Sequence, residues 1–103
     1  MSVGIDLAST VNELTVNWKD EQGRLTTKEL DKRVISKGGA WVTVIFLFQD
    51  LNLQTGEYGP RKARIQRYQK RNDRYIAHSK FNISNPKQAL QIIDILNDWF
   101  GDD

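Results

Sequence analysis

The residues best equipped for chemistry lie in one stretch, "GPRKARIQRYQKRNDRYIAHSK", residues 59 to 80. Residues 61 to 80 hold eight of the chain's fifteen Lys and Arg and one acid, Asp73, for a charge of +7 against −5 for everything else. The formal total of +2 conceals a strongly polarised molecule. Lys62, Arg64, Gln66, Tyr68 and Lys70 alternate along one side of an extended segment, and Ala63 and Ile65, on the other side, are expected to point inward. After the turn "KRND", "RYIAHSKFNIS" reads as a partner strand with Tyr75, Ala77, Phe81 and Ile83 inward and Arg74, His78, Lys80 and Asn82 outward. Cations at strand spacing can track a phosphate backbone, and an exposed aromatic such as Tyr68 gives an unpaired base a surface to stack on. With so few acids available, the cross-strand ion pairs of an ordinary solvated sheet face cannot form. The candidate nucleic-acid contacts are Lys62, Arg64, Arg67, Tyr68, Lys70, Arg74, His78 and Lys80.

Other chemistries find little support. The chain has no cysteine, which removes disulfides, thiolate metal sites and thiol nucleophiles. Its one histidine, His78, has no acid near it in sequence to position it for proton transfer. "VGIDLAST" is similar to the first-strand phosphate motif of the actin-like ATPases, in which Asp6 would hold a metal, but 103 residues are too few to build that site. "DWFGDD" reads as a solvated acidic end rather than a cation site. The expectation is a protein that is not an enzyme and takes no metal, cofactor or small-molecule substrate. No apolar run reaches eighteen residues and no basic segment with a following apolar run opens the chain, so a soluble, cytoplasmic protein is expected, associated with the nucleoid if it binds DNA.

These residues must be held by a scaffold, and the sequence outlines one. The length fits a single domain: residues 1–12 flexible, 13–37 an N-terminal hairpin, and 41–100 a sheet with a C-terminal helix. Leu14, Val16 and Trp18 alternate as in a half-buried strand, "DEQG" turns the chain, and "RLTTKELDKRVISK" returns antiparallel. Leu30 and Val34 at i, i+4, with Thr26 as a cap, leave a helix open for that second run. Past Gly38 and Gly39, "AWVTVIFLFQDL" is a strand apolar on both faces, so both need cover: the C-terminal helix on one, a second subunit or a ligand on the other. Ser84 or Asn85 caps the helix, Pro86 occupies its first position and Gly101 follows its last turn. Ala89, Ile92, Ile93, Leu96, Trp99 and Phe100 form its buried stripe, and Leu90 and Ile95 extend the apolar surface further than a small monomer needs.

From "ARIQRYQKRND" through "SKFNISNPKQALQIIDIL" the chain resembles the C-terminal domain of the positive cofactor four family of transcriptional coactivators and its bacterial and phage relatives. Ile65, Arg67 and Tyr68 match the family's basic-aromatic strand, and Lys80, Ile83 and Ser84 its lysine-bearing strand before the helix. The likeness runs from Trp41 to Leu96. It departs at Phe81 and Asn82, where relatives carry glycine, and the first forty residues have no counterpart. The resemblance implies an α+β fold, a curved antiparallel meander followed by one helix. It also implies a homodimer that binds single-stranded DNA with little sequence preference, in transcription, replication, recombination or repair. RNA on the same surface and a protein-interaction module using the basic face are the alternatives.

Overall fold

The computed structural model describes residues 8–102. Five strands, β1 (Trp18–Lys19), β2 (Leu25–Gly38), β3 (Trp41–Asp50), β4 (Lys62–Arg71) and β5 (Arg74–Ile83), precede one helix, α1 (Pro86–Phe100). Each strand pairs antiparallel with the next, so sheet order equals chain order, and the sheet curls into a half-barrel. Turn chemistry sets the register. Gly39, at φ +58, supplies the left-handed residue of the two-residue β2–β3 turn, while Asn72 and Asp73, at φ +50 and +62, both take that conformation between β4 and β5. Two successive positive φ values define a turn whose twist matches its flanking strands, and Asn and Asp tolerate it better than most residues. "RLTTKELDKRVISK" is strand rather than helix, its pairing interrupted at Leu30 and Ile35 by bulges.

One face of the sheet is the core. Val42, Val44, Phe46 and Phe48 of β3 are essentially buried, with Tyr68 of β4 and Tyr75 of β5 completing the floor. The sequence reading expected α1 over one face of β3 and a second subunit or a ligand over the other; over this face the structure places residues 8–17 of the same chain. Leu14 and Val16 bury into the floor, with Ala8 and Val11 partly buried beside them. The segment is fastened along its length. Val11–Glu13 form a single 3-10 turn, and Lys32 Nζ donates to the carbonyls of Val11, Asn12 and Leu14 at 2.6, 3.1 and 2.7 Å. Thr15 Oγ1 donates to Glu29 at 2.6 Å, and the Tyr75 amide donates to the Ala8 carbonyl at 2.7 Å. Residues 8–12, expected to be flexible, are thus part of the packed structure, whereas residues 1–7 and the Asp6 motif lie outside the described region.

The other face stays half-open. Trp41, Thr43, Ile45 and Leu47 of β3 and Ala63 and Ile65 of β4 are all partly exposed there. α1 begins as expected, with Asn85 Oδ1 accepting from the Gln88 amide at 2.8 Å, Pro86 at its first position and Gln88 reaching back to the Ser84 amide at 2.9 Å. None of its residues is buried. Ala89 and Ile92 reach half-burial, and Leu90, Ile93, Ile95, Leu96, Trp99 and Phe100 face outward, Trp99 at 67% exposure. The molecule spans 50 × 39 × 17 Å, little more than one layer deep.

Candidate nucleic-acid interface

Opposed residues in an antiparallel pair share a face, so the register decides which basic side chains meet. Lys62, Arg64, Gln66 and Tyr68 pair with Phe48, Phe46, Val44 and Val42, which places the even-numbered side of β4 on the core face. This corrects the expected orientation: Tyr68 is a floor residue at 6% exposure, and Ala63 and Ile65 are the ones facing away. Tyr68 therefore offers no open ring for stacking. The reason is the curl of the sheet together with the cover from residues 8–17, which make the longer, mixed side of β4 the interior one.

On β5 a single bulge rearranges the faces. Arg67 pairs with Ser79 and Tyr68 with Ala77, leaving His78 as the extra residue. A one-residue slip sends the following side chains to the opposite face. Tyr75 and Ala77 stay on the core side, as expected; Phe81 and Ile83 turn to the opposite face, where Ile83 is nonetheless buried at 7% exposure and Phe81 is exposed, and Lys80 and Asn82 take the core side opposite Gln66 and Arg64. The bulge thus brings Lys80 into line with Lys62, Arg64 and Lys70. Arg64 Nε donates to Asn82 Oδ1 at 2.7 Å and its guanidinium lies 4.8 Å from the Phe48 ring, while Lys62 Nζ is 3.0 Å from Asp50 Oδ2. Lys70 Nζ sits 5.4 Å from the Tyr75 ring, and Lys80 is exposed. The remaining predicted contacts lie elsewhere. Arg67 stacks 4.0 Å over Trp41, His78 meets the same ring edge-on at 4.8 Å, and Arg74 closes the hairpin opposite Arg71.

Between residues 13–18 and the β4–β5 floor runs an open groove of about 460 Å³. Trp18, 44% exposed, stands at one wall, with Arg64 and Gln66 in the lining and Tyr68 and Tyr75 below. Sequence reasoning missed Trp18, because the alternation Leu14, Val16, Trp18 assigned it to the same buried side as its neighbours. Gln66 was noted on the right face but given no role.

The acids bordering the groove are already engaged. Glu13 accepts from Ser9 and Thr10, through side chain and backbone alike, at 2.9 to 3.1 Å. The bond from the Ser9 hydroxyl leads in holding its carboxyl below the ordinary 4.5. A lowered carboxyl stabilises the folded form above its ordinary value, and that contribution is lost as pH falls through the folded one. Burial, opposed by the nearby Arg64 guanidinium, pushes the Tyr68 hydroxyl up to about 12. Among the described residues no cluster of three or more His, Cys, Asp or Glu is placed to hold a metal, and no helix is long and apolar enough to cross a membrane.

No family model, curated protein or solved structure matches the chain.

Proposed function

We propose that the protein binds single-stranded DNA, with little sequence preference, along the core-side rim of β4 and β5. The observation carrying this reading is the alignment of Lys62, Arg64, Lys70 and Lys80 on one face beside an open groove, with the neighbouring carboxylate Glu13 already hydrogen-bonded. At roughly 3.4 Å per residue, Lys62 to Lys70 covers about 27 Å of strand, long enough to follow several nucleotides. Arg67 and His78, against Trp41 on the opposite face, belong in this reading to a different surface.

That second surface supports a homodimer. A 15-residue helix with no buried residue has little to hold it in water alone, since isolated helices of this length are marginal. Its apolar residues and the half-open side of β3 and β4 are the areas a second copy would cover. An isologous two-fold contact through α1 covers that surface without leaving an open end.

Fluorescence anisotropy with labelled single-stranded DNA, duplex DNA and RNA of equal length, at several salt concentrations, tests the ligand. Single-stranded DNA should bind most tightly, with affinity falling as salt rises. Equal affinity for duplex would reduce the interaction to general electrostatics. Binding that ignores salt, or no binding, would favour a protein partner for the basic face.

A further inference from the structure

We propose that the groove between residues 13–18 and β4–β5 is a pocket for one unpaired base of the bound strand, with Trp18 stacking on the base and Gln66 reading its edge. The inference rests on the single-stranded DNA reading and goes beyond it, because it assigns the stacking role to a residue outside the basic strands.

Three observations converge. Trp18 is 44% exposed on the groove wall, although Leu14 and Val16 just before it are buried, so its indole has an open surface where a planar ligand can lie. The Gln66 side chain is half-buried in the same groove and makes no hydrogen bond among the described residues. Arg64 also lines the groove, fixed by Asn82 at 2.7 Å and by the Phe48 ring.

Each group matches one part of a nucleotide. A base stacks on an aromatic plane whatever its identity. A carboxamide carries one acceptor and two donors, and bases present both kinds of group on their exposed edges. A guanidinium suits a phosphate oxygen. The Gln66 amide atoms stay within reach of water, with no buried side-chain polar atom left unpaired among the described residues, so a base edge would take the place of solvent on a carboxamide committed to no other side chain. The volume of about 460 Å³ falls in the range of small-ligand clefts, and the floor under it is the rigid core. Tyr68 and Tyr75 take no part in stacking: buried at 6% and 7% exposure, they form the bottom of the pocket.

The test uses a protein with Trp41→Phe and Trp99→Phe, in which Trp18 is the sole tryptophan. Titration with single-stranded oligonucleotide should quench its emission. Trp18→Ala in the wild-type background should weaken binding about 5- to 150-fold with an unchanged salt slope, the range of a lost base stack. Trp18→Phe should recover much of the affinity whereas Trp18→Leu, bulky but without a ring, should not, which a merely structural role of bulk at the rim does not predict. Gln66→Leu, conservative in size, should weaken binding with melting temperature unaltered. Full-strength binding of DNA by Trp18→Ala and Gln66→Leu, with no quench, would overturn the pocket while leaving the DNA reading intact. If oligonucleotide does not bind at all but millimolar deoxyadenosine monophosphate quenches Trp18, the pocket stands and the strand-binding reading falls. Silence with both ligands overturns both.

Discussion

Tyr68 shows how burial redirects a side chain's chemistry. Its hydroxyl is pushed up to about 12, so the fold favours the neutral phenol, while the unfolded chain ionises near pH 10. Stability from this group is complete below about pH 10 and declines as pH rises from there toward 12. Tyr68→Phe should therefore lose less melting temperature than wild type over that alkaline interval, which circular dichroism melts at a series of pH values will measure. Arg64 acts on the ligand side. If its guanidinium meets a phosphate, Arg64→Ala should lower affinity for all sequences alike and reduce the salt slope by about 0.7, the contribution of one phosphate on a single strand. An unchanged slope would leave Arg64 as a side chain that only packs over Phe48 and Asn82.

Helix α1 is well formed and poorly housed. Its capping and stripe are clear, yet its apolar arc meets solvent. Ile95→Asp should leave the strand content intact and shift sedimentation equilibrium from twice 11.9 kDa toward 11.9 kDa; a wild-type protein already at the lower mass would remove the dimer. The elements from β3 onward were legible in sequence because local chemistry decides them, whereas β2 stood open between strand and helix and the strand expected across Leu14, Val16 and Trp18 is only Trp18–Lys19. Gly39 and the Asn72–Asp73 pair set the turns, the β-branched run makes β3, and Asn85 with Pro86 starts α1. Facing was not legible. The bulge at His78 follows from no period-of-two pattern, yet it moves Lys80 and Phe81 to opposite sides. Nor could alternation reveal that residues 8–17 would roof one face of β3, since that cover rests on contacts such as Lys32 with three distant carbonyls. The long free margin of β2 is another element-level device. Beyond the short β1 pairing, its two bulges and the charges of Lys28, Lys32, Arg33 and Lys37 disrupt the regular edge that another sheet would need.

At the scale of the whole molecule, all five strands pair with their neighbours in sequence while the roof over the core comes from residues 8–17, which precede them. The Ala8 carbonyl reaches the Tyr75 amide, and Leu14 and Val16 pack on strands that lie from 26 to about 60 residues further along. Such a contact carries a large loop-closure cost until the meander exists. The roof is therefore expected to dock late in folding, after β2 to β5 have paired. Val16→Ala should accelerate unfolding and leave the refolding rate nearly unchanged, giving a φ-value near zero in stopped-flow chevrons; equal effects on both limbs would mean the roof forms with the sheet. During synthesis the order of events is then inverted relative to the order of residues. Residues 8–17 are made before the strands they cover and wait for Tyr75, and until then Val42, Val44, Phe46 and Phe48 lack part of their cover. A nascent chain of this design carries an open apolar strand from the time β3 is made until β5 follows it, which makes that interval its window of greatest exposure to aggregation and to chaperones.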